Sequence, residues 1–271
     1  MSVRTPKTVI SVDLTKSPRT QPVLHNRWHP DLPAVSSVQP GEVFRVECVD
    51  WTGGQIGNND SADDVLNLNL SVCHYLSGPV KVEGAEPGDY LEVEILDVQP
   101  LHGHEWGYTG IFDVKNGGGF LHEHFPRAAK AVWDFEGIYA SSRHIPGVRF
   151  PGLIHPGIIG TAPSQELLEK WNQREAALVA KDPNRVPALA YLPNDTGSFL
   201  GALESQPSVA RAKGAEAART IPPREHGGNC DIKNLSRGSK VWFPVYVPGA
   251  NLSVGDLHFS QGDGEISVRK L

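Results

Sequence analysis

Glycine and proline punctuate this chain so often that long helices have little room: 28 Gly and 22 Pro are scattered through 271 residues. Such spacing calls for many turns and short extended segments. The stretches between the turns agree. Pro40-Gly41 opens a run in which Phe44, Val46 and Cys48 alternate with Arg45 and Glu47. Pro87-Gly88 opens a near copy, whose Leu91, Val93 and Ile95 fall on one face of a strand. Period-two alternation after a turn is the pattern of antiparallel sheet with one buried face. The expected class is mainly β (α+β), an antiparallel β-sandwich of jelly-roll-like architecture with an inserted helical segment.

The middle of the chain supplies that insert. Leu167, Leu168, Trp171 and Leu178 recur at helical spacing over 164–180, with Ser164 as N-cap and Glu166 four residues before Lys170. An Ala-rich stretch over 207–219, stopped by Pro222-Pro223, predicts a second helix. Pro126 predicts a short helix running to Trp133. One domain over 1–271 is expected: a β-rich part at 7–120, a helix-containing insert at about 121–222 and a β-rich segment at 223–271.

Charge and composition narrow the partners. The net charge is −6 with no basic run, so nucleic acid is not an expected partner. No apolar run approaches the ~20 residues of a membrane span. Met1 to Pro6 lacks the apolar stretch of a signal peptide. Cys48, Cys73 and Cys230 show neither paired nor metal-knuckle spacing. That usage suits a reducing compartment, and the cytoplasm is the expected location.

Two polar stretches stand out. The first, Gly255-Asp256-Leu257-His258-Phe259-Ser260-Gln261-Gly262-Asp263-Gly264-Glu265, reads as a strand and a tight turn. Strand periodicity puts Asp256, His258 and Ser260 on one face, where burial is costly without a metal ion or substrate to pair with them. A solvated sheet face fits the pattern equally well. A short repeat bears on the choice. Pro79-Val80-Lys81-Val82 and Pro244-Val245-Tyr246-Val247 both lead through Gly-Ala to a Gly-Asp, and His258 and Ser260 then occupy the places of Leu91 and Val93. The second stretch is His226-Gly227-Gly228-Asn229-Cys230-Asp231. Its paired glycines permit positive φ and close backbone approach, its carboxylate suits a cation, and its amide can donate to an oxyanion. An Asx-type turn is the simpler account.

Together these two stretches resemble the acetamidase/formamidase family. Further matching segments are His25-Asn26-Arg27-Trp28-His29-Pro30, Asp50-Trp51-Thr52-Gly53-Gly54 and Asn116-Gly117-Gly118-Gly119-Phe120-Leu121. Ser142-Arg143-His144-Ile145-Pro146-Gly147 and Gly152-Leu153-Ile154-His155-Pro156-Gly157 match as well, so the resemblance runs from about residue 7 to Ile266. It implies hydrolysis of a short aliphatic amide, formamide above all, to a carboxylate and ammonia. It also implies a β-rich fold with a helical insert and a homo-oligomer. One departure stands beside it. Family members continue past the Gly-Asp-Gly-Glu stretch, whereas Ser267-Val268-Arg269-Lys270-Leu271 does not resemble that continuation, which implies a C-terminally incomplete form.

Amide hydrolysis needs an activated nucleophile, a stabilised oxyanion and a proton for the leaving amine. The expected centre is a divalent cation, zinc, held by His74, Asp231 and His258, where His74 resembles a position shared across the wider family. Glu265 is the expected general base, Asp263 orients it or completes the shell, and Asn229 holds the substrate oxygen. Gly228, Gln261 and His155 are the expected substrate-binding residues. His122 and His124 read as an exposed segment, His25 and His29 as a pocket mouth or oligomer contact, and His144 as pocket lining. Two alternatives stay open: Cys230 as a thiolate nucleophile beside His226, or a non-catalytic oligomer subunit.

Overall fold

The computed structural model describes residues 6–119, 121–181 and 192–262. Strands β1 (Lys7–Ile10), β2 (Leu24–His25), β3 (Arg27–Trp28), β4 (Ser36–Val38) and β5 (Phe44–Val46) precede helix α1 (Asp63–Leu66). Then come β6 (Leu76–Val82), β7 (Tyr90–Glu94), β8 (Trp106–Ile111), β9 (Ala129–Glu136), β10 (Tyr139–Ser142), β11 (Arg149–Pro151) and β12 (His155–Gly160). Helices α2 (Gln165–Lys181) and α3 (Pro207–Gly214) interrupt the strands. The order closes with β13 (Ala218–Arg219), β14 (Gly227–Asn229), β15 (Lys240–Pro244) and β16 (Leu252–His258). The protein is mainly β, and most of its pairings are antiparallel, as the alternating sequence pattern predicts.

The sheet that matters for function runs in the order β14-β12-β16-β6-β2, with β4 also paired to β6. All six residues of β12 are buried, which suits a central strand with neighbours on both edges. Its register fixes the site: His155 faces His258 and Pro156 faces Leu257 on β16, while Ile159 faces Gly228 on β14. Two pairings depart from the antiparallel expectation. β1 with β5 and β4 with β6 are parallel, each joined by a crossover long enough to reverse the chain.

Helix α2 secures this sheet from one side. Leu168 and Trp171 are buried three residues apart and join Trp28, Leu76, Ile158 and Ala218 in one apolar cluster. Ser164 caps the helix through its Oγ, which accepts from the Leu167 N–H at 3.2 Å. The indole N–H of Trp171 donates to Glu225 at 2.7 Å, Arg174 pairs with Glu225, and Arg224 pairs with Glu175. Helix α2 thereby pins the loop that leads into β14. Truncating Trp171 would forfeit roughly 3–5 kcal/mol of packing.

Three expectations are corrected. No helix forms over Pro126–Trp133: residues 129–136 are strand β9, paired with β8 and β10 in a four-stranded sheet. Val132, Trp133 and Phe135 are β-branched or aromatic and pack on a pleated surface, which outweighs a proline start signal. The second helix stops at Gly214 rather than 219, because Ala218 and Arg219 pair with Trp28 and Arg27 of β3. The sequence repeat is not a structural repeat either. After the first Gly-Asp a new strand begins at Tyr90, whereas the second Gly-Asp lies inside β16, which began at Leu252. Leu91 and Val93 do pack into a core cluster with Ile95, as their alternation predicts.

Candidate metal centre

Asp231, Asp256 and His258 each turn one donor atom toward a common point, with those atoms all within 4.8 Å of one another. His258 Nε2 lies 3.6 Å from Asp256 Oδ2 and 3.7 Å from Asp231 Oδ1. A tetrahedral shell with bonds of ~2.1 Å separates its donors by about 3.4 Å. One imidazole and two carboxylates form a donor set that zinc and similar divalent cations accept. The residues therefore fit a cation. His258 Nε2 is buried and has no hydrogen-bond partner among the described residues.

Backbone conformation brings the carboxylates together. Asp231 (φ 46°) and Asp256 (φ 54°) both occupy the left-handed region, which Asp tolerates better than most residues. Such conformations persist where surrounding structure over-determines them, commonly at functional sites. Gly157 supplies the room. A Cβ there would lie 2.6 Å from Asp231 Oδ1 and 2.6 Å from Asp256 Oδ2. Its carbonyl also accepts from the N–H groups of Cys230 and Asp231, at 2.9 and 3.0 Å, tying the Asp231 loop to β12.

Behind the cluster stands a polar layer. His258 Nδ1 lies 2.9 Å from Gln261 Oε1 and 3.2 Å from His155 Nε2. Gln261 Nε2 donates to the Asp231 carbonyl, and His155 Nδ1 donates to the Leu153 carbonyl at 2.6 Å. Burial pushes the His155 imidazole below its ordinary pKa, against the opposing pull of the Leu153 carbonyl. A cavity of about 1810 Å³ reaches Asp256 and His258, with Trp106, Trp133 and Phe150 among its walls.

The structure thus brings Asp231 and His258 together and adds Asp256, a residue that strand periodicity had placed on the face of His258 without assigning it a ligand role. His74 lies outside the group, contrary to expectation. Its backbone N–H donates to Thr220 Oγ1 at 2.7 Å, its Nδ1 meets the same oxygen at 3.1 Å, and its ring leans on Trp51. Gly228 is buried within the sheet, paired with Ile159 and close against the His226 ring. Asn229 spends an amide N–H on the Ile221 carbonyl at 2.8 Å and holds its own loop. His155 and Gln261 both lie against His258, at 3.2 and 2.9 Å. Asp263 and Glu265 lie outside the described residues.

Other candidates separate equally clearly. Burial raises the Cys230 thiol pKa and the neighbouring Asp231 charge raises it further, which disfavours a thiolate. His226 is wedged between Trp28 and Trp171, with ring centroids 4.6 Å from each, and burial drives its pKa to about 3. His122 and His124 lie in an exposed turn. His144 accepts from the Val132 N–H and meets Asp60, so it braces β9. Gly157 was missed as a site residue. Its signal was a glycine directly opposite the polar strand, which the sequence shows only once β12 and β16 are known to pair.

The fold and this cluster define a mainly β protein with a carboxylate–imidazole cluster whose donor set fits a divalent cation. The sequence pattern of the Acetamidase/Formamidase family matches residues 11–269, and the chain belongs to that family. It is 58% identical over 262 residues to the formamidase of Methylophilus methylotrophus, covering 96% of this chain and 64% of that protein. It is 57% identical over 270 residues to the acetamidase of Mycolicibacterium smegmatis, covering 97% of this chain and 66% of that protein. Among solved structures, a gamma lactamase from Delftia acidovorans matches with a TM-score of 0.93 at 58% identity, over 96% of this chain and 63% of that one. The chain spans just under two thirds of the length of these relatives. Among the described residues, no helix is long and apolar enough to cross a membrane.

Proposed function

We propose that this chain carries the cation-binding centre of an amidohydrolase that converts a short aliphatic amide, formamide first, to carboxylate and ammonia. The convergence of Asp231, Asp256 and His258 supports the reading most strongly. A zinc ion held there would lower the pKa of a water ligand toward ~7 and polarise the amide carbonyl. The protein's own part is to hold two carboxylates and one imidazole at fixed separations, with Gly157 leaving space for them. Glu265, four residues after Gln261 in the sequence, takes the role of proton carrier between nucleophile and leaving amine, and Asp263 orients it or completes the shell. Family membership supports a homo-oligomer, and the absence of paired cysteine spacing supports a cytoplasmic location.

A second substrate reading has its own support. The likeness to a gamma lactamase and the aromatic walls of the broad cavity favour a small cyclic amide as well. Ammonia release from formamide, and ring opening of a γ-lactam, measured before and after chelation, separate the two. Loss of both activities on chelation, with recovery on adding zinc, is the expected result. Undiminished turnover by metal-free protein would end the cation reading. Glu265→Gln should retain zinc and lose most turnover, and a wild-type rate in that variant would move the base elsewhere.

A further inference from the structure

We propose that Gln261 is a positioning residue, whose side-chain amide holds His258 in the tautomer that turns a bare Nε2 toward Asp231 and Asp256. The proposal rests on reading those three residues as a cation centre and adds a part to it.

Donors and acceptors around Gln261 fix the tautomer of His258. The Asp231 carbonyl can only accept, so the Gln261 atom facing it must be Nε2, which fixes the amide's orientation. Oε1 therefore points to the histidines, 2.9 Å from His258 Nδ1. An amide oxygen only accepts, so His258 Nδ1 carries the hydrogen. The ring's lone pair then lies on Nε2, which faces the two carboxylates at 3.6 and 3.7 Å. His155 fits the same assignment. Its Nδ1 faces the Leu153 carbonyl at 2.6 Å and must donate there, leaving Nε2 as an acceptor 3.2 Å from His258 Nδ1. His155 Nε2 and Gln261 Oε1 lie 3.0 Å apart, so under this assignment both accept from the one His258 hydrogen. A ligating imidazole needs such a partner on its far nitrogen to set the tautomer and orient the ring. Gln261 differs from an ordinary partner in one respect: its other end grips the loop that carries Asp231. A single amide therefore couples the position of the Asp231 loop to the protonation of His258.

Nitrogen–proton correlation NMR of the 271-residue chain reads the tautomer directly. In the wild type, His258 should show a protonated Nδ1 and a bare Nε2. Gln261→Ala should mix the two tautomers and weaken zinc binding by roughly 10–100-fold in a calorimetric titration. Gln261→Glu keeps the acceptor and loses the donor, so it should restore the tautomer, which a merely structural role would not do. A His258 protonated on Nε2 in the wild type overturns the proposal, and this holds even if the variants fail to fold. An unchanged tautomer and unchanged zinc affinity in Gln261→Ala overturn it as well. If the wild type shows the stated tautomer and Gln261→Ala mixes it, but neither binds zinc, the positioning role stands and the cation reading alone fails.

Discussion

His258 Nε2 and Asp256 Oδ2 lie 3.6 Å apart although only Leu257 separates them on strand β16. Side chains two apart on a strand share a face, and the positive φ at Asp256 lets its carboxylate turn in toward the imidazole. Asp231 reaches the same point from the loop after β14, while β12 runs between the two and contributes a glycine.

That glycine is the most exposed point of the account to mutation. Gly157→Ala places a methyl 2.6 Å from both carboxylates, so they must separate. The change should destabilise the fold by roughly 1–3 kcal/mol, the usual cost of overpacking, and abolish zinc binding. Urea unfolding and zinc calorimetry on the same preparation check both. Wild-type affinity in the alanine variant would mean that the carboxylates do not meet there.

Acid should weaken the fold ahead of ordinary carboxylate titration. Burial lowers His25 to about 4 and His226 to about 3, and it lowers His29 and His155 too. An unfolded histidine titrates near ~6.5, so between these values the unfolded chain binds more protons and stability rises with pH. His25 should contribute about 3 kcal/mol and His226 about 5 kcal/mol, fully present above pH ~6.5 and lost as pH falls toward their folded values. Urea midpoints should hold from pH 7.5 to about 6.5 and drop from there to pH 5. A midpoint independent of pH over that range would show these rings are not buried in neutral form.

Cys230 should be dispensable. Desolvation and the adjacent carboxylate both raise its thiol pKa, the reverse of what a nucleophile needs. Cys230→Ala should keep amide turnover and zinc affinity within a few-fold of wild type. Abolished turnover with zinc still bound would restore the thiol route.

Much of this was legible in the sequence because it depends on local rules. The alternation at Leu91, Val93 and Ile95 marked a strand and its buried face, and Ser164 with Leu168 and Trp171 marked helix α2. Two of the three cluster residues, Asp231 and His258, were legible from their motifs. What the sequence did not show shares a cause, which is dependence on pairing between distant segments. Nothing local to Pro126–Trp133 shows that strands wait on both sides. His74 sits in a matching motif, and its ring meets Thr220, 146 residues on. Gly157 becomes a site residue through the β12–β16 pairing alone, and Asp256 through its meeting with Asp231 from a distant loop. Gln261 gains its two partners, His258 and the Asp231 carbonyl, only in the folded chain.

Zinc titration of the wild type and of Asp256→Asn tests the central claim most directly. Asparagine is nearly isosteric with aspartate and tolerates the left-handed backbone at this position, so the variant removes charge and ligand strength without moving the strand. The account predicts one bound zinc per wild-type chain and a loss in the variant exceeding the roughly 10–100-fold typical of an outer-layer partner. Equal affinity in the two proteins, or no zinc bound by either, would contradict it.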